Sequence, residues 1–385
     1  MKKKVLFITY NLKLGGTNST LYDMVALLDK EKYDITIFTL HDGGSWEPRF
    51  RSLGIPVLNS YGHMRDAETL FGRLGNRLEL KKIEYMRKNQ GKGLIGHCLK
   101  EKFDLAILHH SYEPFERTPF MPGTATIRYI HGDADNNERY RGVLEASSEY
   151  FKDYDKIVCV SQVAKASFNK LFGCEQQSVV CYNPLNTEEM LKKSMEKAED
   201  IPDTPYICVV GRLAPEKGNI RLIHIHAGLV KDGLKHQLVI VGEGPERPGI
   251  EAAIRDEGVQ DSVVMAGYQE NPYPYIRNSL FTVCPSYSEG LHMASMESIA
   301  LGVPVVAAVE PVRELFGEAD CGLITGNDDQ SLEAGIRKML TDKAFYQLAV
   351  REAEKRGASF SGEEMIRNVE KIFDEVIASK ETGKK

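Results

Sequence analysis

Short runs of β-branched and other apolar residues alternate along the chain with longer stretches whose apolar residues recur at helical spacing. Such alternation is typical of βαβ units arranged around a parallel sheet. The first half of the chain has predicted strands at residues 5–10, 34–40, 105–109, 126–131, 156–161 and 178–182. The second half has predicted strands at residues 206–211, 237–241, 263–266, 280–284 and 303–307. The pattern therefore predicts an α/β fold.

A polar crossing that contains several prolines separates the two groups of strands at residues 183–205. An interdomain hinge is expected in such a segment. We therefore expect two Rossmann-like, doubly wound domains facing each other across a cleft. The N-terminal domain comprises residues 1–183 and is joined by a C-terminal helix at 360–380, and the C-terminal domain comprises residues 184–359. Ligands bind at the carboxyl ends of strands in open parallel sheets, so the active site is expected in this cleft.

The last predicted helix covers about residues 363–379 and is amphipathic. One of its sides carries the apolar residues Met365, Val369, Ile372, Val376 and Ile377. This stripe is expected to pack on the core, and the final residues 380–385 are expected to fray.

Composition and charge narrow the classes of function. A chain of 385 residues with 42% hydrophobic residues is too long for one core, which supports two domains. The net charge of −6 is spread along the chain, so no basic footprint for nucleic acid exists and we expect no nucleic-acid partner. The chain lacks the roughly 20 consecutive apolar residues of a membrane-spanning helix. The N-terminal apolar run breaks at Thr9 and is interpreted as a strand, so we expect a soluble protein without a signal peptide.

The seven cysteines include no Cys-x-x-Cys pair. Cys159 and Cys208 lie inside apolar, strand-like runs, where cysteine serves as a small hydrophobic residue. We therefore expect buried, reduced thiols and a cytoplasmic location.

Two glycines, Gly15 and Gly16, follow the first strand and precede a helix expected to begin near Asn18. A bare backbone at a helix N-terminus can approach a phosphate or a sugar. A tight turn would use the same two residues, and the third glycine of a dinucleotide fingerprint is missing. This motif alone leaves both interpretations open.

Two cations, Arg212 and Lys217, lie on the loop that leaves the first strand of the second half. A guanidinium can bind two oxygens of a diphosphate, and an ammonium adds a point charge. Without further context, a solvated basic loop explains the same residues equally well.

Two glutamates flank the start of a helix predicted to begin near Met293. The free N–H groups of a helix N-terminus can bind phosphate without a metal. Glu297 lies roughly 6 Å further along the helix, which is the distance from a diphosphate to a ribose. Its carboxylate could accept hydrogen bonds from ribose hydroxyls, while Glu289 could hold sugar hydroxyls. Each glutamate taken singly could also be an ordinary surface charge.

These motifs occur together and in order: Gly211-Arg212-Leu213 with Lys217-Gly218, then Gly242-Glu243-Gly244-Pro245, then Glu289 and Glu297 spaced as E-x7-E. The combination resembles family 4 glycosyltransferases, which have the two-domain GT-B fold. The resemblance covers nearly the whole chain and is strongest at residues 207–307. It implies a retaining transferase that uses a nucleoside-diphosphate sugar, with UDP expected from its frequency in the family, and a glycan or lipid-linked acceptor. No metal and no other cofactor is expected.

The resemblance also implies roles for individual residues. Arg212 and Lys217 match the pair that contacts the donor diphosphate, and Glu289 matches the residue near the transferred sugar. His131 matches a histidine that contacts the sugar or its acceptor, although a packed histidine would explain it too. These four are the expected catalytic residues. The expected donor-binding residues are Gly16, Gly211, Gly242, Tyr268, Gly290, Leu291, His292, Met293 and Glu297.

The chain departs from the family pattern at two places. Asn18 stands where many relatives have a glutamate after the Gly-Gly pair, which weakens any acceptor-side role for it. His292 and Met293 replace a more usual proline-containing sequence. Backbone contacts should survive these changes, whereas the sugar preference need not.

Two further segments suggest sites of other kinds. Asp133 and Asp135 form an Asp-x-Asp sequence, but Glu138 stands where a calcium loop requires glycine, so we expect no metal there. Residues 73–102 hold an excess of basic residues interleaved with leucines. This segment could rest on an anionic membrane surface, or it could be an ordinary solvated helix.

Other functions remain to be weighed against the transferase. A nucleotide-sugar epimerase shares the architecture, but the chain shows no convincing set of carboxylates for its proton transfers. An inactive pseudo-glycosyltransferase would act as a scaffold, which the intact Arg212, Lys217, Glu289 and Glu297 argue against. We expect synthesis of a bacterial surface polysaccharide or glycoconjugate at the inner face of the membrane.

Overall fold

The computed structural model describes residues 1–13, 15–41, 43–62, 70–89, 93–111 and 123–383, with the backbone alone at 70–74. The chain divides into two compact units. Unit 1 comprises Met1–Pro184 and Glu363–Lys385, and unit 2 comprises Leu185–Gly362. Among the described helices, none is both long and apolar enough to span a bilayer.

Unit 1 is built on a parallel sheet of seven strands. The strands are β1 (Lys3–Thr9), β2 (Tyr33–Thr39), β3 (Val57–Asn59), β4 (Leu105–His110), β5 (Ala125–Ile130), β6 (Lys156–Cys159) and β7 (Ser178–Val180). Their order in the sheet is β3-β2-β1-β4-β5-β6-β7. Every residue of β4 and β5 is buried, which explains why these central strands are apolar along their length.

The helices of unit 1 connect these strands, and the last helix of the chain returns to the unit. They are α1 (Gly16–Leu27), α2 (Glu47–Ser52), α3 (Leu70–Lys88), α4 (Leu94–Cys98), α5 (Glu138–Glu145), α6 (Gln162–Phe172) and the final α15 (Gly362–Thr382).

Helix α15 is held on unit 1 by aromatic packing and by ion pairs along its length. The Phe373 ring is buried, with its centroid 6.2 Å from that of Phe7 and 6.0 Å from that of Tyr33. At the other end of the helix, Lys380 Nζ lies 3.0 Å from each carboxylate oxygen of Asp155. The final helix therefore completes the core of unit 1.

Unit 2 is built on a second parallel sheet, of six strands. They are β8 (Tyr206–Val210), β9 (Gln237–Val241), β10 (Val263–Gly267), β11 (Thr282–Cys284), β12 (Val305–Ala307) and β13 (Gly322–Ile324). Their order is β10-β9-β8-β11-β12-β13, so β8 and β11 are neighbours and their carboxyl ends lie side by side.

The helices of unit 2 follow the same alternation. They are α7 (Thr187–Lys193), α8 (Asn219–Lys231), α9 (Arg247–Glu257), α10 (Tyr273–Arg277), α11 (Met293–Ala300), α12 (Pro311–Phe316), α13 (Asp329–Thr341) and α14 (Lys343–Ala358). The predicted fold class, α/β with two Rossmann-like sheets, is confirmed. Sequence analysis missed β3 and β13, which have only three residues each and lie at sheet edges.

Candidate functional site

The loop that leaves β8 is fixed against the loop that leaves β11. It passes through a single 3-10 turn at Pro215–Lys217 and reaches Gly218, whose φ of 67° is in the left-handed region that favours glycine. A Cβ at Gly218 would lie 2.1 Å from the carbonyl oxygen of Pro285, which follows β11. Only glycine permits this approach, so the two loops can pack closely.

This packing brings Lys217 and Glu289 together. Lys217 Nζ donates to Glu289 Oε1 at 2.6 Å, across 72 residues of sequence. The Ser286 hydroxyl donates to the same oxygen at 2.6 Å. The structure thus joins two of the four expected catalytic residues at the carboxyl ends of neighbouring strands.

Both members of this pair are charged at neutral pH. Burial disfavours the Lys217 ammonium, but the charge and hydrogen bond of Glu289 outweigh it and leave the pKa of Lys217 raised. Burial likewise disfavours the Glu289 carboxylate, but the Lys217 ammonium and the neighbouring donors leave the pKa of Glu289 lowered. The pair places an ammonium where a leaving diphosphate could replace the carboxylate as its partner.

His292 caps the helix that follows Glu289. It precedes α11, and its Nδ1 accepts a hydrogen bond from the backbone N–H of Ser295 at 3.2 Å. The neutral ring can accept there only if Nε2 carries the proton. Burial lowers the pKa of His292 to about 4 although Glu289 opposes the shift, so the ring is neutral at pH 7. A proline at this position could not make the same cap.

The remaining donor-site residues of this segment lie on the same short element. Gly290 and Leu291 are buried in the turn before α11, and Met293 is the first residue of the helix. Glu297 is the fifth residue of α11 and is half-buried. The expected spacing of roughly 6 Å along the axis between Met293 and Glu297 follows from this helix.

Close backbone contact also explains Gly242, which packs against the backbone of Gly211. The Gly211 N–H donates to the Val241 carbonyl at 3.0 Å, and the Gly242 N–H donates to the Gly267 carbonyl at 2.7 Å. Gly242 has a φ of 146°, and a Cβ there would lie 1.8 Å from the Gly211 oxygen. The ends of β8, β9 and β10 are thereby joined. Tyr268 follows directly and is exposed.

The ion pair that the structure describes for Arg212 lies within its own loop. The Arg212 guanidinium contacts Glu216 one turn along the loop, and its side chain is half-exposed. An exposed pair of this kind contributes at most about 1 kcal/mol, so the guanidinium can change partners at little cost.

Arg221 is a structural residue of the site that sequence analysis missed. It lies on α8 and is buried. Its Nε donates to the Pro285 carbonyl at 2.7 Å and its terminal nitrogen to the Ser286 carbonyl at 3.0 Å. The guanidinium also lies over the Tyr287 ring, 4.1 Å from its centroid. The available signal was an arginine amid the apolar residues of a buried helix.

Arg221 is itself fixed by a residue beyond β13. The Asn327 Oδ1 accepts from the guanidinium at 2.9 Å, while Asn327 Nδ2 donates to the Tyr287 carbonyl at 2.8 Å. The loop that carries Glu289 is therefore held by α8 and by the β13–α13 loop together.

His131 and Gly16 lie in unit 1, whereas all other expected site residues lie in unit 2. His131 Nε2 lies 2.8 Å from the His109 carbonyl and donates to it. Burial lowers the pKa of His131 to about 4, which keeps its ring neutral. Gly16 is the first residue of α1, and a Cβ there would meet no described atom within 4 Å.

The Asp-x-Asp sequence has structural contacts. Asp133 Oδ1 accepts from the backbone N–H of Asp135 at 3.0 Å, and Asp133 Oδ2 accepts from the Asn136 side chain at 2.7 Å. Asp135 pairs with Lys170 at 2.7 Å. These contacts shape the loop after β5 and account for both carboxylates.

Comparison with known families bears directly on this site. The family model described as "Glycosyltransferase Family 4" matches residues 14–189, and the one described as "Glycosyl transferases group 1" matches residues 192–356. The chain belongs to the family 4 glycosyltransferases. The two matched ranges correspond closely to the two sheets, and the second contains the Lys217–Glu289 pair.

Two curated relatives of this chain are glycosyltransferases by name. One is the N-acetylgalactosamine-N,N'-diacetylbacillosaminyl-diphospho-undecaprenol 4-alpha-N-acetylgalactosaminyltransferase of Campylobacter jejuni, 31% identical over 50% of this chain and 53% of the relative. Another is the alpha-D-kanosaminyltransferase of Streptomyces kanamyceticus, 31% identical over 35% of this chain and 36% of the relative. The chain thus aligns with about half the length, or less, of these relatives.

Among solved structures, HepE of Anabaena in complex with UDP and glucose is similar over 97% of this chain and 99% of that chain. The TM-score is 0.71 at 15% sequence identity. A likeness at this identity shows a shared fold, which is that of the GT-B glycosyltransferases.

Proposed function

We propose that this chain transfers a sugar, with retention of anomeric configuration, from a nucleoside-diphosphate sugar to a glycan or a lipid-linked acceptor. The observation that carries the proposal is the Lys217–Glu289 pair at the carboxyl ends of β8 and β11. Family membership supports the reaction class, since the matched range 192–356 contains both residues of this pair.

The chemistry proposed for the site is stabilisation of the leaving group. As the bond from the sugar to the diphosphate breaks, negative charge grows on the diphosphate oxygen, and the Lys217 ammonium and the N-terminus of α11 stabilise it. Arg212 adds its guanidinium by leaving Glu216. The acceptor hydroxyl forms the new bond on the same face and gives its proton to the departing phosphate. Glu289 holds sugar hydroxyls through this step.

The nucleotide is proposed to bind along the same edge of the sheet. Glu297 accepts hydrogen bonds from the ribose hydroxyls, and the Gly211–Gly242 contact leaves bare backbone for the diphosphate. The exposed Tyr268 frames the base. UDP is the proposed nucleotide, supported by the solved structure of HepE in complex with UDP and glucose.

We further propose that transfer needs no metal ion, because Lys217, Arg212 and the α11 N-terminus supply the positive charge that a divalent cation supplies elsewhere. Turnover in excess EDTA should equal turnover without it. Loss of activity in EDTA that added Mg²⁺ or Mn²⁺ restores would contradict this proposal.

Binding of the nucleotide is the first test. UDP at about 100 times its dissociation constant should stabilise the folded protein by about 2.7 kcal/mol, which a thermal shift assay detects. GDP serves as the comparison. If no nucleoside diphosphate and no sugar nucleotide stabilises the protein, the proposed function is wrong.

Turnover is the second test, measured as release of nucleoside diphosphate from a panel of sugar nucleotides and acceptors. Lys217→Ala should lower turnover at least ~100-fold, since it removes one preorganised donor from the leaving group. Lys231→Ala, at the exposed end of α8, is the matched control and should retain activity. Near-wild-type turnover of Lys217→Ala would contradict the proposed role of Lys217 in stabilising the leaving group.

A lipid-linked acceptor at the cytoplasmic face of the membrane is proposed from the diphospho-undecaprenol in the name of the Campylobacter relative. Helix α3 offers a surface for such a membrane. Its exposed face carries Leu78 and Tyr85, which are 65% and 69% exposed and lie seven residues, or about two helical turns, apart. Lys81 and Lys82 flank them on the exposed side, opposite the buried Ile83. Of the basic segment 73–102, the side chain of Arg73 and all of Lys92 lie outside the described residues.

Liposome flotation tests this membrane surface. The wild type should float with vesicles that contain anionic lipid and remain in solution with neutral ones, because each lysine near an anionic surface contributes about 1 kcal/mol. Lys81→Glu with Lys82→Glu should abolish flotation. Lys231→Glu with Lys235→Glu, in unit 2, changes the net charge equally and should still float. Flotation without dependence on anionic lipid or on α3 would exclude this surface.

A further inference from the structure

Three side chains of metal-binding type converge beside the Lys217–Glu289 pair. One ligand atom each of Cys284, Glu289 and His292 lies within 4.8 Å of the other two. We propose that these residues form an inhibitory site for a soft divalent transition-metal ion, with Zn²⁺ as its best match. The ion binds in place of the Lys217 contact and is not needed for transfer. Inhibition rests on the proposed function, whereas binding itself does not.

Each of the three residues has an atom left for a ligand. Both hydrogen bonds described above for the Glu289 carboxylate end on Oε1, so Oε2 can bind a cation. The His292 Nδ1 caps α11, which directs Nε2 to the other side of the ring. Cys284 is the last residue of β11 and is fully buried. Thiolate, imidazole and carboxylate together are a ligand set that zinc prefers.

The distances fit a site that closes around the ion. Zinc–sulfur and zinc–nitrogen bonds of about 2.3 and 2.0 Å in a tetrahedron separate ligand atoms by roughly 3.3–3.6 Å. A pair of atoms at the 4.8 Å limit must therefore draw together by roughly 1.2–1.5 Å when the ion binds. Cys284 gives its thiol proton to solvent, and water takes the fourth position. The His292 proton moves from Nε2 to Nδ1, where it is donated to the Ser295 hydroxyl 2.7 Å away, so metal binding replaces the backbone cap of α11 by this side-chain hydrogen bond. Burial and the neighbouring Glu289 charge raise the pKa of the Cys284 thiol to about 12, so the thiol loses its proton only when the ion binds.

Occupancy of this site changes the partner of Lys217. The ion takes the charge of Glu289, so the ammonium loses its counter-charge and is repelled by the nearby dication. Glu289 is then unable to hold sugar hydroxyls. A bound ion therefore removes two proposed donor contacts at once, which predicts inhibition that competes with the sugar nucleotide.

Cobalt spectroscopy tests binding without any turnover. Titration of the metal-free, full-length protein with Co²⁺ should give a thiolate-to-cobalt charge-transfer band and the intense visible bands of four-coordinate Co²⁺, and Zn²⁺ should remove both. Cys284→Val and Cys284→Ala should lack the charge-transfer band. Cys208→Val, in the neighbouring β8 and likewise buried, is the matched control and should keep it. A wild type without the band, or a band that persists in both Cys284 variants, overturns the proposal.

Inhibition is measured separately. At a Zn²⁺ concentration of about ten times its dissociation constant, transfer by the wild type should fall roughly tenfold by mass action, and excess EDTA should restore it. Cys284→Val should transfer at the wild-type rate with and without Zn²⁺. Equal inhibition of both proteins overturns the inhibitory role. Absence of transfer in both proteins without metal contradicts the proposed function but leaves the cobalt result to decide on the site.

Discussion

Arg221→Met should destabilise unit 2 far more than loss of an ordinary surface arginine. The Arg221 side chain is only 3% exposed, and it holds the loop after β11 through the carbonyl oxygens of Pro285 and Ser286. Methionine keeps most of the length and the apolar contacts of the stem. The variant therefore isolates the guanidinium and its hydrogen bonds.

The magnitude follows from the three shortest of the four described hydrogen bonds of Arg221, at 2.7, 3.0 and 2.9 Å, to Pro285, Ser286 and the Asn327 side chain. The fourth, to the Asn327 carbonyl, is 3.4 Å long. A hydrogen bond to a charged group contributes about 1.5–3 kcal/mol, and the buried carbonyls lose their partner when it is removed. Part of that loss is offset, because the variant no longer has to bury a charged group away from water. We expect a net decrease of about 3–5 kcal/mol in the free energy of unfolding of unit 2.

Urea unfolding followed by circular dichroism measures this change. Arg337→Met is the matched control, because Arg337 also lies in unit 2 and contacts both Asp232 and Glu333 but is 36% exposed. It should cost no more than about 1 kcal/mol. The fluorescence of Trp46, the single tryptophan, follows unit 1 separately in both variants. Equal destabilisation by the two substitutions would refute the argument from burial.

Two further changes test the backbone and the buried histidines. Gly242→Ala should lower the free energy of unfolding by at least ~3 kcal/mol, because its Cβ would lie 1.8 Å from a backbone oxygen. Gly228→Ala within α8 has room for a Cβ and should raise it by about 0.5–1 kcal/mol. Urea unfolding measures both changes. Burial lowers the pKa of His110 to about 3, that of His131 to about 4 and that of His109 well below its usual value. In the unfolded chain these histidines take up protons as the pH falls below about 6.5, whereas in the folded protein they stay neutral. The free energy of unfolding is therefore highest above pH 6.5 and should fall by roughly 2 kcal/mol per histidine between pH 7 and 5. His109→Phe should reduce this slope, and an unchanged slope would contradict the neutral, buried state.

The parallel fold could be predicted where strands are long and buried. Strands β1, β4 and β8 can be recognised in the sequence as continuous apolar runs, because both faces of a central strand are buried. By contrast, β3 (Val-Leu-Asn) and β13 (Gly-Leu-Ile) have three residues each and contain no two adjacent β-branched residues, unlike the equally short β7 and β12, which were predicted. Their pairing depends on the neighbouring strand and not on their own sequence.

The amphipathic C-terminal helix was predicted correctly as an element but only partly in its buried face. Val369, Val376 and Ile377 are buried as expected, whereas Met365 and Ile372 are half-buried. Phe373 and Ile366 are buried instead. The apolar stripe of an amphipathic helix is wide, so the sequence does not decide between neighbouring residues for the buried face. The packing of α15 on unit 1 decides it.

The candidate site likewise contains features that could be predicted from the sequence and features that could not. Lys217 and Glu289 could be identified from motif order, and their position at strand ends follows from the alternating pattern. The hydrogen bond between them, the cap made by His292 and the position of Arg221 could not be predicted. These depend on which loops meet at the β8–β11 edge, which is set by strand order.

The return of α15 to unit 1 has a consequence for synthesis on the ribosome. Phe373 packs against Phe7 and Tyr33, yet all of unit 2, Leu185–Gly362, is translated between them. At usual elongation rates of about 5–20 residues per second, the apolar groove that receives α15 stays uncovered for roughly 10–40 s after Pro184 is added. Unit 2 is contiguous and can fold during that interval. The half of the chain that is made first is therefore the last to be completed.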